Sequence, residues 1–272
     1  MATSSICSPH LPLVATMHLC VHDPAYAPYK SRAQALYHRY WVRPAEAWIL
    51  ERACKVVAVS EYTAERTRRE FGAQNIQTII NGVPIPATDV LLQKRRLQKP
   101  FRLLYVGNWS SRKGIDMLGP IMHQLGNEFE LRYTADAHGA HQRAQLPANC
   151  VCIGRLSQQQ VSRAYQEADA LLFPSRLEGL PLSVLEAMAA GLPAIVSDQS
   201  SLLEVVTNGI DGYVCPGDDV SAFVAAARHM SSDEAALANL SAAARRTAQD
   251  RFSVTAMVSA YASLYHDVIA RR

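Results

Sequence analysis

The sequence predicts an α/β fold of two doubly wound, Rossmann-like domains, the N-terminal one incomplete. Two observations predict it. Short apolar runs of strand length alternate with helical patterns almost throughout, the signature of parallel βαβ units. The strands are also unevenly supplied. Three fall in the first 95 residues and six in the roughly 120 residues that follow residue 100, where a doubly wound half needs about five or more.

In chain order, the front strands are read at LPLVATMH, KVVAVS and IQTII, with a long helical stretch through Tyr37, Trp41, Trp48, Ile49 and Leu50 between the first two. Ser60 is a suitable N-cap for a helix that runs to Phe71 and stops at Gly72. NGVPIP and a basic segment at 94–100 follow, and the latter is the best linker candidate. Gly82 in the NGV turn is expected to take positive φ. The later strands are FRLLYVG, FELRYTA, NCVCIG, ADALLFP, LPAIVSD and GYVCP. The last helix, from about Ser253 to Ala270, puts Met257, Tyr261, Leu264, Tyr265 and Val268 on one stripe. The domains are therefore drawn as 1–96 and 97–252, with 253–272 a helix whose apolar face suits the first domain.

Composition narrows the classes. The 272-residue chain carries a formal net charge of +3, and no apolar stretch approaches the roughly 20 residues that span a membrane. The N-terminus lacks a basic n-region, and Pro9 and Pro12 interrupt its apolar run, so it does not read as a signal peptide. Six scattered cysteines without a CxxC pair read as buried reduced thiols, which fits a cytoplasmic setting. Residues 1–100 hold 13 Lys+Arg against 7 Asp+Glu, whereas the remainder is net acidic. That basic front suits anionic headgroups, hence a peripheral membrane contact, or a phosphorylated acceptor. The plainer reading of Arg66, Arg68, Arg69 and Lys94, Arg95, Arg96 is solvated helix and linker faces. No aromatic-and-basic stripe or finger spacing points to nucleic acid.

The chemistry concentrates in ADALLFPSRLEGLPLSVLEAMAAGLPAIVSD. A buried strand ends at Pro174, a loop leads to Pro181 at a helix start, and Gly191 closes that helix. In an open parallel sheet, ligands bind beyond the carboxyl ends of the strands. Amides around Gly179, Leu180 and Pro181, with the helix dipole, would favour an anion. Glu178 lies in the loop. Glu186, eight positions on, lies in an otherwise apolar helix, where a buried acid needs a partner. A sugar's vicinal hydroxyls would serve; so would simple complementation of the helix dipole from an exposed face.

This E-x7-E segment resembles the signature of glycosyltransferase family 4, the retaining family with the GT-B fold. SLLEVVTNGIDGYVCPGDD, VGNWSSRKGID and IGRLSQQQVSRAYQEADA resemble the family's other segments in the same order. The resemblance implies that Glu186 holds ribose hydroxyls and Glu178 the hydroxyls of the donor sugar. Lys113 and Arg112 would face the diphosphate and stabilise its departure. Leu156 would meet the base through its backbone. Asn108 stands where the family usually has Arg, which leaves Arg112 as the substitute cation. The family's glycine pair before Glu204 is replaced by Ser200-Ser201-Leu202-Leu203. TMH, ending at His18, resembles the segment whose histidine faces the donor sugar; His22 is its rival, and a polar loop residue is the alternative for either.

The resemblance thus implies a metal-independent hexosyltransferase with no cofactor. Its donor would be a UDP- or GDP-sugar, and its acceptor a glycan or lipid-linked glycan of the kind used in polysaccharide or lipopolysaccharide synthesis. The family's glycine-rich opening strand and loop are not found. An inert nucleotide-sugar-binding remnant is therefore the rival reading, and a GT-B phosphorylase or epimerase-like enzyme a third. No DxD, GxGxxG or GxxxxGK[ST] pattern supports a metal-bridged, dinucleotide or NTPase site.

Overall fold

A computed structural model describes residues 12–86, 99–135 and 146–270. They form two compact units. Met1–Asn81 with Thr255–Arg272 make one, and Gly82–Val254 make the other.

The first unit holds a parallel sheet of β1 (Val14–Met17), β2 (Lys55–Ala58) and β3 (Ile76–Thr78), three strands among the described residues. Val14 pairs with Lys55 and Val56 with Ile76. A helical run precedes β2: α1 (Arg32–Tyr37), a π turn at His38–Val42, and α2 (Arg43–Arg52). Helix α3 (Glu61–Phe71) starts as the sequence dictates. Ser60 Oγ accepts the Thr63 amide, and Gly72 stops the helix at φ 67°. The C-terminal helix α10 (Val254–Ala270) packs Leu264 and Val268 against Val57 and Ile79. Each such fully buried aliphatic side chain contributes about 1.5–3 kcal/mol. Tyr265, expected on the same stripe, is 47% exposed.

The second unit is a six-stranded parallel sheet in the order β6-β5-β4-β7-β8-β9. Its strands are β4 (Phe101–Tyr105), β5 (Phe129–Tyr133), β6 (Cys150–Cys152), β7 (Ala170–Phe173), β8 (Ala194–Ser197) and β9 (Gly212–Cys215). Its helices are α4 (Ile115–Leu125), α5 (Gln158–Glu167), α6 (Leu182–Ala189), α7 (Leu202–Val205), α8 (Val220–Met230) and α9 (Glu234–Arg251). The strand order reverses between β4 and β7, so the crevice of this sheet opens beyond those two carboxyl ends. One face of the core joins Leu103, Tyr105, Leu131 and Leu172 to Leu118, Ile121 and Phe223.

Three expectations are corrected. The boundary lies at 81/82, not 96/97. The Val83 amide bonds the Phe252 carbonyl at 2.8 Å, and the Val254 amide bonds the Val83 carbonyl at 3.2 Å. These bonds tie GVPIP, which follows Asn81, into the second unit; residues 94–98 of the expected linker, 94–100, lie outside the described residues. Gly82 is not among the residues of positive φ. A Cβ there would lie 2.5 Å from the Ser253 carbonyl oxygen, so close backbone approach is what requires glycine. Nor are all the thiols buried. Cys54 and Cys152 are exposed, the latter because β6 is an edge strand.

Candidate active site

The loops after β4 and β7 meet through a glycine. Residues Ser111–Lys113 form a short 3-10 turn that ends at Gly114, φ 70°. A Cβ on Gly114 would lie 2.0 Å from the Pro174 carbonyl oxygen, so the two loops can come this close at residue 114 only with glycine there. Their backbones are also bonded, Arg176 N–H to the Arg112 carbonyl at 2.9 Å. Outside the contact, the Arg176 guanidinium donates to both carboxylate oxygens of Asp116, at 2.7 and 2.6 Å, and to Asp218 at 2.6 Å. These bonds hold the guanidinium's pKa above its ordinary value.

That approach gathers the predicted cations around one acid. Lys113 Nζ lies 2.6 Å from Glu178 Oε1, and Arg112 Nη1 lies 3.6 Å from Oε2. Lys113 also sits over the Phe173 ring, 5.1 Å from its centroid. Ser175 Oγ donates to the same carboxylate, and Arg112 also donates to the Leu177 carbonyl. Glu178 is 6% exposed. Although it lies in a loop, it is buried with its charge already balanced, as a buried carboxylate requires.

Glu186 behaves differently. Helix α6 buries Val184, Leu185, Ala187, Met188 and Ala189, leaving Glu186 on its remaining, half-buried face. Burial raises its pKa, while a hydrogen bond from Tyr165, 3.1 Å away, pulls it back down. Burial, then the Glu186 charge, pushes the Tyr165 phenol well above its usual value. Val161, one turn before Tyr165 on α5, lines a cavity of about 230 Å³ with Gly107, Asn108, Arg155 and Leu156. Asn108 is fixed there by its carbonyl, which accepts the Tyr105 hydroxyl at 3.0 Å. A larger cavity of about 720 Å³, lined by Trp109, Asp116 and His123, contains none of the predicted site residues. The smaller one has Asn108 and Leu156 in its walls and is the better candidate.

The expected amide cradle is partly committed within the chain. Gly179 is buried, the Glu178 amide donates to Ser200 Oγ at 2.9 Å, and the Val184 amide bonds the Pro181 carbonyl. Leu180 is half-buried, and α6 has no side-chain cap beyond Pro181. Ser200, where the family pattern has glycine, takes φ 54°, the left-handed region that glycine occupies most easily. Its hydroxyl anchors the loop that carries Glu178.

In the first unit, His18 is exposed just past the end of β1. His22 is not its equal. Its side chain is 6% exposed, lies 3.1 Å from Glu46 and meets the Phe71 ring edge-on. Burial, with Arg43 and Lys30 nearby, depresses its pKa to about 4. The α3 arginines are paired: Arg66 with Asp23, and Arg68 and Arg69 with Glu65.

Sequence reasoning missed Tyr165, Arg176 and Arg245. Tyr165 had a signal, an i, i+4 pair with Val161 on a helix otherwise polar. Arg245 is 4% exposed and donates to the carbonyls of Ala189 and Pro86. Nothing in its alanine-rich surroundings announced that.

Residues 88–247 match the family described as glycosyl transferases group 1, and residues 2–85 match Glycosyltransferase Family 4. The amylovoran biosynthesis glycosyltransferase AmsK of Erwinia amylovora is 31% identical over 175 residues, 58% of this chain and 42% of its own. The match thus spans less than half the length of that relative. Among solved structures, sucrose-phosphate synthase from Thermosynechococcus elongatus superposes with a TM-score of 0.79 at 24% identity, covering 95% of this chain and 68% of that one. Anabaena HepE in complex with UDP and glucose gives 0.77 at 18%, covering 94% and 71%. At these identities the likeness carries the fold, which is GT-B. With the first family matching well over half of the residues, the chain belongs to the group 1 glycosyltransferases.

Proposed function

We propose that this chain carries the donor site of a retaining glycosyltransferase. It moves a hexose or similar sugar from a UDP- or GDP-sugar to a glycan or lipid-linked acceptor, on the cytoplasmic side, without a metal bridging the diphosphate. The observation that carries the proposal is the gathering of Lys113, Arg112 and Glu178 at the switch point of a doubly wound sheet. HepE, of the same fold, is described with UDP and glucose, which favours a nucleotide sugar here.

In this reading the base enters the cavity lined by Asn108 and Leu156, and Glu186, oriented by Tyr165, accepts the ribose hydroxyls. The diphosphate draws Lys113 and Arg112 away from Glu178, whose freed oxygens then accept hydroxyls of the sugar. As the anomeric C–O bond breaks, the departing oxygen's negative charge is met by those two cations. The acceptor hydroxyl attacks from the same face and gives its proton to the leaving diphosphate. The anomeric configuration is thereby kept. His18 serves at the reacting sugar.

Calorimetry with UDP and GDP, with and without EDTA, tests the donor reading. Binding should be unaffected by the chelator, and Glu186→Ala should weaken it by about 1.5–3 kcal/mol, the range for a hydrogen bond to a charged group. A strict Mg²⁺ requirement would sink metal independence. Nucleotide binding without sugar transfer to any acceptor would favour an inert binding remnant, and an inverted product would end the retaining assignment.

A further inference from the structure

The helical run from Arg32 to Arg52 is unusual for what it leaves uncovered. None of the residues of α1 is buried, and only Leu50 of α2 is. Yet the run carries Tyr37 at 57% exposure and Trp41 at 64%, with Tyr40 and Trp48 also exposed. Soluble surfaces seldom display contiguous aromatics of this size. The face is ordered. Tyr37 and Trp41, four positions apart, stack with ring centroids 6.2 Å apart at 17°. The π turn at His38–Val42 lies between α1 and α2, a local irregularity frequent at functional sites.

Cations are woven into this face. Arg52 lies over the Trp48 ring, 4.5 Å from its centroid, and Arg39 lies over Tyr40 at 5.7 Å. Of the two acids in the run, Glu46 lies against His22 and only Glu51 is fully exposed. We infer that this face rests on an anionic lipid surface, its aromatics at headgroup depth and Arg39 and Arg52 on the lipid phosphates. Tyrosine and tryptophan favour that interface because each ring has an apolar body and a polar edge. Guanidinium matches phosphate in a fork geometry. A second copy of the same face would set arginines against arginines, and an apolar covering segment would bury Arg39 without a counter-charge and Arg52 with only Glu51 beside it, 3.3 Å away. The inference rests on the lipid-linked acceptor of the proposed function for its purpose, though not for the binding itself.

Pelleting of the full chain with phosphatidylcholine vesicles, with and without phosphatidylglycerol, tests it. Binding is expected only to the anionic vesicles, with a blue shift of tryptophan emission. Arg39→Gln with Arg52→Gln should weaken it about twenty- to thirtyfold, two charges at about 1 kcal/mol each. Trp41→Ser with Trp48→Ser should abolish it. Both variants alter exposed side chains, so their thermal melts and nucleotide affinity should match wild type. Failure to bind anionic vesicles, or unchanged binding by either variant, overturns the inference. So does a solution dimer that Trp41→Ser with Trp48→Ser separates. Loss of nucleotide binding in wild type would instead strike the donor reading and leave this one standing.

Discussion

Replacing Glu178 by Gln should make the second unit less stable and yet a better binder of free nucleoside diphosphate. The carboxylate is 6% exposed and holds Lys113 at 2.6 Å and Arg112 at 3.6 Å, side chains that are themselves 13% and 20% exposed. Stranding one partner of a fully buried pair costs about 3–5 kcal/mol. Here the cations keep some water, Arg112 keeps the Leu177 carbonyl, and the amide oxygen of Gln can still accept from Ser175. About 2–3 kcal/mol is therefore expected. Trp109 is the one tryptophan of the second unit, so urea unfolding followed by its emission in a Trp41→Phe, Trp48→Phe background reads that unit alone. Adding Lys113→Met should reveal a coupling of at least about 1.5 kcal/mol.

Affinity should move the other way. Removing one negative charge beside an arriving diphosphate is worth about 1 kcal/mol in a half-wet site, several-fold in Kd. A purely structural Glu178 would lose stability and affinity together. A stability loss under roughly 0.5 kcal/mol, below what any stranded buried charge should cost, or weaker UDP and GDP binding in a variant that remains folded, would refute this role for Glu178.

Other perturbations separate other parts of the structure. Tyr165→Phe removes the bond that lowers the raised Glu186 pKa, so nucleotide binding, which needs the ionised acid, should fade at a higher pH than in wild type as the solution is acidified. Calorimetry across the acid range reads the midpoint, and an unmoved midpoint would count against the ribose role. Gly114→Ala should cost about 3 kcal/mol or more, since it adds a backbone clash to left-handed strain. Gly72→Ala, of similar φ but in open space, should cost only about 1–2 kcal/mol; equal losses would mean the loop contact yields. His22 has a folded pKa near 4 against an ordinary 6.5, so the unfolded chain takes its proton first. Its contribution is full above pH 6.5 and lost as pH falls toward 4. Glu46, whose pKa burial raises against the pull of Arg43, works the opposite way at low pH, while Arg43, Lys30, His38 and Glu70 also face His22. The His22 share is the difference between wild-type and His22→Gln melts across that window, and identical curves would refute it.

Much of this was legible because local rules decide it. All nine strands among the described residues follow from short apolar runs, and Ser60, Gly72 and Gly191 mark helix ends through capping and positive φ. The site was legible as residue types at a spacing, but not as pairings. Glu178 read only as an acid in a loop, because nothing in SRLEGL says that Gly114 will bring Lys113 and Arg112 onto it from about 65 residues away. That contact is a property of the switch point, where neighbours in space are strangers in sequence. Gly82 misled for the related reason that two demands, positive φ and close approach, select the same residue. Arg176 and Arg245 were invisible because a long cation reads as surface until its partners are known.

The prior pairing of Glu178 has a consequence for selectivity in the proposed function. A ligand reaching Lys113 and Arg112 must displace a carboxylate that is already desolvated and bonded to Ser175. One weak anion offers too little in exchange, whereas a diphosphate can offer oxygens to both cations at once. The released carboxylate then needs a donor in its turn, because burial without one is costly, and the hydroxyls of an attached sugar supply it. Free nucleotide fulfils only the first half of this exchange. The intact nucleotide sugar should therefore bind wild type more tightly than the free nucleotide does, and that preference should shrink or vanish in Glu178→Gln. Paired titrations of UDP and its matching sugar donor against both proteins measure it. A preference of equal size in the two would show that Glu178 never turns toward the sugar.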